Sequence, residues 1–239
     1  MYAENMGLFS ALLDIIFPPE CIGCNTFGSY LCSDCFRSIK CNTTYLCPGC
    51  MKEISHFTVH PHCKKQTALD GLYAFSNYEG VLRKYIGAVK YRLLFDMAKI
   101  GGDMMYWSGK QLGLWNVYSV QTTAVVPVPI HWKKRWERGF NQSNLYAEQL
   151  AKNLGFYLLP NLLIKTKSTG PQALLSRVKR LQNIHDSVVS TVTDPQRLPS
   201  CIILVDDVAT TGSTLYESAR ALKKAGVKKV VAIVLAHGE

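Results

Sequence analysis

From residue 69 onward, short apolar runs alternate with amphipathic segments. Residues 202–205 (Ile-Ile-Leu-Val) form an uninterrupted, mostly β-branched run bounded by polar residues, the pattern of a strand buried on both faces. Residues 123–129 and 230–236 repeat it, the first ending in proline. Residues 69–78 alternate around aromatics, and shorter strands are expected within 157–164 and over 187–193. Between these runs the period changes to that of a helix. Residues 79–91 place Val81, Leu82, Tyr85, Ile86 and Val89 on one face. Further helices are expected over 95–112, where Gly101-Gly102 is a possible break, and over 143–154 and 215–225. Strands alternating with helices predict an α/β domain with a mainly parallel sheet flanked by helices.

The first 66 residues lack this pattern. Residues 6–17 carry Leu8, Leu12, Leu13, Ile15 and Ile16 at helical spacing and stop at Pro18-Pro19. That short amphipathic helix is expected to dock on the rest of the protein, in preference to a membrane or a partner. Residues 20–66 hold few large apolar side chains but eight of the nine cysteines. Cys21-x-x-Cys24 and Cys32-x-x-Cys35 are two knuckles that can complete one tetrahedral zinc site. Cys47-x-x-Cys50 and His60-x-x-Cys63 suggest a second site of Cys₃His type, with His62 competing with His60. Cys41 and His56 have no such partner, and Cys201 reads as a small buried residue. One or two structural zinc ions would supply the folding free energy that so small a core lacks. The chain thus divides near residue 67 into a small zinc-ribbon-like module preceded by a helix (1–66) and an α/β domain (67–239).

The net charge of +10 favours phosphorylated ligands, nucleic acid or an anionic surface. No run reaches the ~18 apolar residues of a transmembrane helix, and Glu4 and Asp14 spoil a signal peptide. A cytoplasmic protein is therefore expected.

Candidate chemistry centres on the segment following the 202–205 strand. Asp206 and Asp207 stand at its end, then Ala209, Thr210, Thr211, Gly212, Ser213 and Thr214 lead into a helix. Hydroxyls and backbone N–H groups at a helix start suit a phosphate. A carboxylate pair would repel phosphate but suits the hydroxyls of a ribose, or Mg²⁺. A cation-rich stretch over 131–142, read as a strand-to-helix loop, offers Arg135, Arg138 and Gly139 to pyrophosphate. Arg177 and Arg180 lie on an amphipathic basic helix or lid. Trp132, Lys133, Lys134 and Arg135 interleave aromatic and cationic groups, as single-stranded DNA binding requires, while Trp136 and Phe140 are equally open to core packing.

The acid pair and Thr-Thr-Gly-Ser-Thr loop resemble the 5-phosphoribosyl-1-pyrophosphate (PRPP) motif of type I phosphoribosyltransferases. With Phe17-Pro-Pro-x-Cys-x-x-Cys24, Lys90-Tyr-Arg92, Pro127-Val-Pro129, Arg138-Gly-Phe-Asn-Gln142 and Gln172-x-x-Leu-x-x-Arg-x-x-Arg180-x-x-Asn183, nearly the whole chain resembles the ComF family. The resemblance implies a zinc module followed by a phosphoribosyltransferase-like domain that binds PRPP with Mg²⁺. It also implies a part in natural transformation, the entry of single-stranded DNA into the cytoplasm. A DNA-uptake helicase or channel at the inner membrane would then be a partner, placing the protein peripherally at the inner face of that membrane. Two classes of function compete: a nucleic-acid-handling protein with a phosphoribosyl ligand, and an active phosphoribosyltransferase in which Asp206, Asp207 and Arg138 are catalytic and the acceptor is unknown.

Overall fold

The computed structural model describes residues 18–91, 95–167, 187–192 and 194–238. The helix expected over 6–17 and the segment carrying Arg177 and Arg180 lie outside the described residues.

Nine strands are described: β1 (Tyr45–Leu46), β2 (Glu53–Ile54), β3 (Gly71–Asn77), β4 (Thr123–Pro127), β5 (Tyr157–Leu158), β6 (Leu163–Lys165), β7 (Val188–Ser190), β8 (Cys201–Ala209) and β9 (Lys229–His237). The α-helices are α1 (Ser33–Arg37), α2 (Gly80–Tyr91), α3 (Phe95–Gln111), α4 (Trp132–Arg138), α5 (Gln142–Leu154) and α6 (Ser213–Lys224). The main sheet has the order β2-β1-β3-β9-β8-β4-β5. Its five strands from β3 to β5 are parallel. The hairpin β1–β2 joins antiparallel at the β3 edge through Leu46↔Leu72, so the cysteine-rich segment extends the sheet of the α/β domain. A separate antiparallel pair, β6–β7, stands apart from it.

Alternate residues of the central strands feed two cores. Tyr73, Phe75, Val125, Ile203, Val205, Val231 and Ile233 pack with Tyr85, Met97 and Tyr146 of α2, α3 and α5. Leu72, Val126, Ile202, Leu204, Ala232 and Val234 pack with Leu215, Ala219 and Leu222 of α6 and with Leu163 and Val188 of the small sheet. Helices on both faces explain why these strands read as continuous apolar runs rather than alternating ones.

Three expectations change in detail. Gly101-Gly102 does not break α3; a Cβ on Gly102 would lie 2.5 Å from Gln149 Cβ, so the pair lets α3 and α5 approach closely. The polar stretch after β4 is not a loop throughout: it forms α4, capped by His131 Nδ1 accepting from the Lys133 N–H and ended by Gly139 in the left-handed conformation. Its Trp, Lys, Arg and Glu residues tolerate a helix, and Pro129 and Gly139 confine it. β8 does not stop at Val205; β9 keeps pairing it to Ala209, so the acid pair lies within the strand.

Candidate functional site

β4 leads through α5 to β5 on one side, whereas β8 and β9 lie on its other side. The chain reverses direction of travel between β4 and β8, and at such a switch point the carboxyl ends of two parallel strands open a crevice. β4 leaves the ladder here: the pairing Pro127↔Val205 is its last, followed by a Val128 N–H bond to the Val205 carbonyl at 2.9 Å. The result is a cleft of about 210 Å³ lined by Val128–His131, Lys134, Arg138, Gln142 and Ser143, by Lys90 and Lys165, and by Asp206–Val208 and Thr214.

Each carboxylate of the acid pair is held differently. Asp206 Oδ1 accepts from Ser143 Oγ at 2.7 Å and from the Asp207 N–H at 2.9 Å. Asp207 Oδ2 lies 2.7 Å from Lys90 Nζ at the end of α2, the two side chains being only 15% and 20% exposed. Burial, then the adjacent Asp207 carboxylate, push Asp206 up to about 7, against the Ser143 hydrogen bond. Burial works against the charge on Lys90, yet Asp207 outweighs it and raises Lys90 above the ordinary lysine value. Lys165 is lowered, by burial first and by neighbouring Lys134 second.

The following turn has Gly212 at φ 70°, a conformation that glycine adopts without strain. Thr211 Oγ1 and Ser213 Oγ are 2.6 Å apart, and α6 begins directly, leaving its first N–H groups at the turn.

The helical phase of α4 sorts the cations. Lys134 and Arg138, four residues apart, line the cleft, whereas Arg135 and Gly139 lie outside its lining. Trp132 and Trp136 form another i, i+4 pair and are 63% and 86% exposed. Trp136 is therefore not a core residue, whereas Phe140 is buried. Lys133 Nζ sits 5.6 Å from the Trp132 ring centre, in cation–π range.

Lys90, Gln142, Ser143 and Lys165 line the cleft without a sequence pattern of their own that marks them as site residues. Gln142 is buried, faces the cleft and has no partner for its Nε2 among the described residues. Lys90 and Gln142 do fall in motifs that carried the family resemblance; Ser143 and Lys165 gave no such signal.

The cysteine-rich segment gathers two four-residue sites, Cys21–Cys24–Cys32–Cys35 and Cys47–Cys50–His60–Cys63, whose ligand atoms all lie within 4.8 Å of one another. Both donor sets suit zinc. Tetrahedral Zn–S bonds of about 2.3 Å imply sulfur separations of about 3.8 Å, and Cys24 Sγ and Cys32 Sγ are 3.7 Å apart. His60, not His62, faces the second set, with Nδ1 3.4 Å from Cys50 Sγ, and His62 stacks on its outer side. The glycine in each Cys-x-Gly-Cys makes room for the opposing ligand: a Cβ on Gly23 would lie 2.4 Å from Cys35 Sγ, and one on Gly49 2.5 Å from Cys63 Cβ. Four thiols this close cannot all ionise without a cation. Burial disfavours the Cys21 thiolate, but N–H bonds from Cys32, Cys24 and Gly23 bring it down to about 6, while burial and its sulfur neighbours push Cys35 up to about 12. Cys41 and His56 stand exposed outside both sets, and Cys201 is buried, as expected. No helix among the described residues is long and apolar enough to cross a membrane.

A parallel sheet with an acidic strand end and a hydroxyl-lined turn at its switch point is the framework of a phosphoribosyl transferase domain, and residues 147–239 match the model of that family. Similarity reaches further, to proteins named for competence and DNA utilization. It is 27% identical over 219 residues to competence protein F of Haemophilus influenzae, covering 85% of this chain and 95% of that one. Identity is 28% over 210 residues to DNA utilization protein YhgH of Escherichia coli K12 (84% and 87% covered). It is 25% over 203 residues to competence protein ComFC of Bacillus subtilis (82% and 79% covered). Residues 67–239 make up less of the chain than any of these coverages, so each similarity extends into the cysteine-rich module.

Proposed function

We propose that the cleft binds a 5-phosphoribosyl ligand, PRPP with Mg²⁺ or a related ribose phosphate, and that the protein serves the handling of incoming single-stranded DNA on the cytoplasmic side of the membrane. The observation that carries the ligand reading is the Asp206–Asp207 pair at the switch point, followed by the turn at Gly212. In this reading the turn from Ala209 to Thr214 takes the 5-phosphate. Asp206 and Asp207 accept the ribose hydroxyls, and Lys134, Arg138 and Gln142 meet the pyrophosphate, joined by Arg135, Gly139, Arg177 and Arg180 where they can reach it. Mg²⁺ would neutralise pyrophosphate charge; the chain's own part is to hold the ribose between carboxylates and cations. Two zinc ions would hold the N-terminal module together.

The DNA role is supported by the names of the relatives and by α4. Trp132 and Trp136 offer exposed faces for bases, and Lys133, Lys134 and Arg135 offer charge to the strand. A helicase or channel of DNA uptake at the inner face of the membrane is the partner this role would require.

A transferase reading draws on one feature: Lys134 and Arg138 line the cleft together with the acid pair and Thr214, where departing pyrophosphate needs stabilisation. Titration calorimetry of the zinc-loaded protein with PRPP and Mg²⁺ tests the shared premise. Binding that disappears in Asp206→Ala/Asp207→Ala is expected; no binding to the unaltered protein refutes it. Single-stranded DNA affinity should fall in Trp132→Ala/Trp136→Ala and in a Lys133, Lys134, Arg135 neutralisation, with a shallower salt dependence only in the latter. Unchanged affinity in both removes α4 as the DNA surface.

A further inference from the structure

The two knuckles share one backbone design. In the first, the Asn25 N–H bonds to the Cys21 carbonyl at 2.7 Å and the Cys21 N–H to the Thr26 carbonyl at 2.8 Å. In the second, the Met51 N–H bonds to the Cys47 carbonyl at 2.7 Å and the Cys47 N–H to the Lys52 carbonyl at 2.8 Å. The residue after the second cysteine of each knuckle is left-handed, Asn25 at φ 63° and Met51 at φ 62°. They are the two non-glycine residues with positive φ among the described residues. Asparagine suits that conformation; a long unbranched side chain without a local hydrogen bond does not. A strained residue persists where its surroundings hold it, and such residues concentrate at functional sites.

The surroundings of Met51 are the ligand turn. Its side chain packs on the core beneath α6. Its Sδ lies 3.4 Å from where a Cβ on Gly212 would be, and its Cε 3.9 Å. Gly212 is itself left-handed, at φ 70°, and starts α6. The Met51 backbone is anchored on Cys47, a member of the second four-residue site, and the β1–β2 hairpin that carries the knuckle is paired to the main sheet.

We propose that Met51 is a positioning residue for the phosphate turn, and that the second knuckle couples metal binding at Cys47, Cys50, His60 and Cys63 to the order of residues 211–214. The zinc module thereby preorganises the phosphoribosyl site, the ligand identity resting on the function proposed above. Linkage makes the effect reciprocal: a ribose-phosphate ligand tightens zinc retention by the factor by which zinc tightens the ligand.

Met51→Asn tests this directly, because it installs the residue that the first knuckle uses, relieves the strain and removes the packing of the side chain against Gly212 and the adjoining core. Zinc content should be unchanged. Amide exchange of residues 211–214 should quicken by about tenfold, within the usual range of site coupling. Affinity for ribose 5-phosphate should fall by a similar factor, and the ligand should no longer slow zinc transfer to a chelator. Met51→Leu, which refills the same space, should behave as the unaltered protein. Unchanged exchange at 211–214 in Met51→Asn overturns the proposal. Quickened exchange in a protein that binds no ribose 5-phosphate in unaltered form upholds the knuckle-to-turn coupling and refutes the ligand reading instead.

Discussion

Lys90 and Asp207 form the most consequential ion pair of the cleft, and replacing Lys90 by methionine measures it. Nζ and Oδ2 are 2.7 Å apart, both side chains are mostly buried, and Asp206 adjoins them. Coulomb attraction at that distance is about 6 kcal/mol gross at an effective dielectric constant of 20. Desolvation of both groups cancels much of it, but deleting one partner leaves the other charge stranded, at about 3–5 kcal/mol for a buried pair. The cleft admits some water to both side chains, so Lys90→Met should cost about 2–3 kcal/mol, at or just below the bottom of that range. Asp207→Asn should cost less, because Asp206 can take over as partner of Lys90. The double variant should recover part of the loss, giving a coupling of about 1–2 kcal/mol. Urea denaturation at pH 7.5 without phosphate supplies the four free energies. Repeated at pH 5.5, where Asp206 carries its proton, the Lys90→Met penalty should shrink because a single negative charge remains to be left unpaired. A coupling below about 0.5 kcal/mol, within the scatter of independent sites, or a penalty equal at both pH values, would refute the reasoning.

Asp206 predicts a pH dependence of its own. Its folded value of about 7 exceeds its ordinary 3.8, so between these values the folded state binds the extra proton and stability falls as pH rises through the window. Melting temperature should therefore decline from pH 5 to pH 8, and Asp206→Asn should flatten that slope; an identical slope counts against the assignment. Gly102→Ala drives a methyl to 2.5 Å from Gln149 Cβ and 2.9 Å from the Tyr146 carbonyl oxygen. It should destabilise by about 1–3 kcal/mol in thermal or urea unfolding, and a neutral result would mean that α3 and α5 are less tightly apposed. Elemental analysis should find two zinc ions per chain. Gly23→Ala, which crowds Cys35 Sγ without removing a ligand, should speed zinc release from the first site by about tenfold, a typical effect just outside a ligand set. Unaltered release would show that the knuckle yields.

Much of this protein is legible in the linear chain because its signals are local. A strand covered on both faces must be apolar at every position, so 202–205 and 230–236 declare themselves without knowledge of their neighbours. Tetrahedral metal binding requires paired ligands at short spacing, so both zinc-type sites can be read from Cys-x-x-Cys and His-x-x-Cys. The acid pair and its hydroxyl turn are contiguous for the same reason: one strand end and one helix start build them. Local pattern could not say how far β8 runs, because its last residues are held by β9 rather than by propensity. Nor could it say that 131–142 contains a helix, and the helical phase of α4 alone decides that Lys134 and Arg138 enter the cleft while Trp132 and Trp136 face outward. Lys90 meets Asp207, Ser143 meets Asp206, and Met51 meets Gly212 only because sheet order brings distant segments to one edge. The sequence by itself determined the α/β class, the two candidate metal-ligand sets up to the choice of His60 over His62, and the acid pair with its hydroxyl turn, each written in consecutive or regularly spaced residues. The tertiary structure decided which charges face one another across the cleft and which zinc knuckle rests on its turn, because those contacts follow from chain crossing, and no short stretch encodes that.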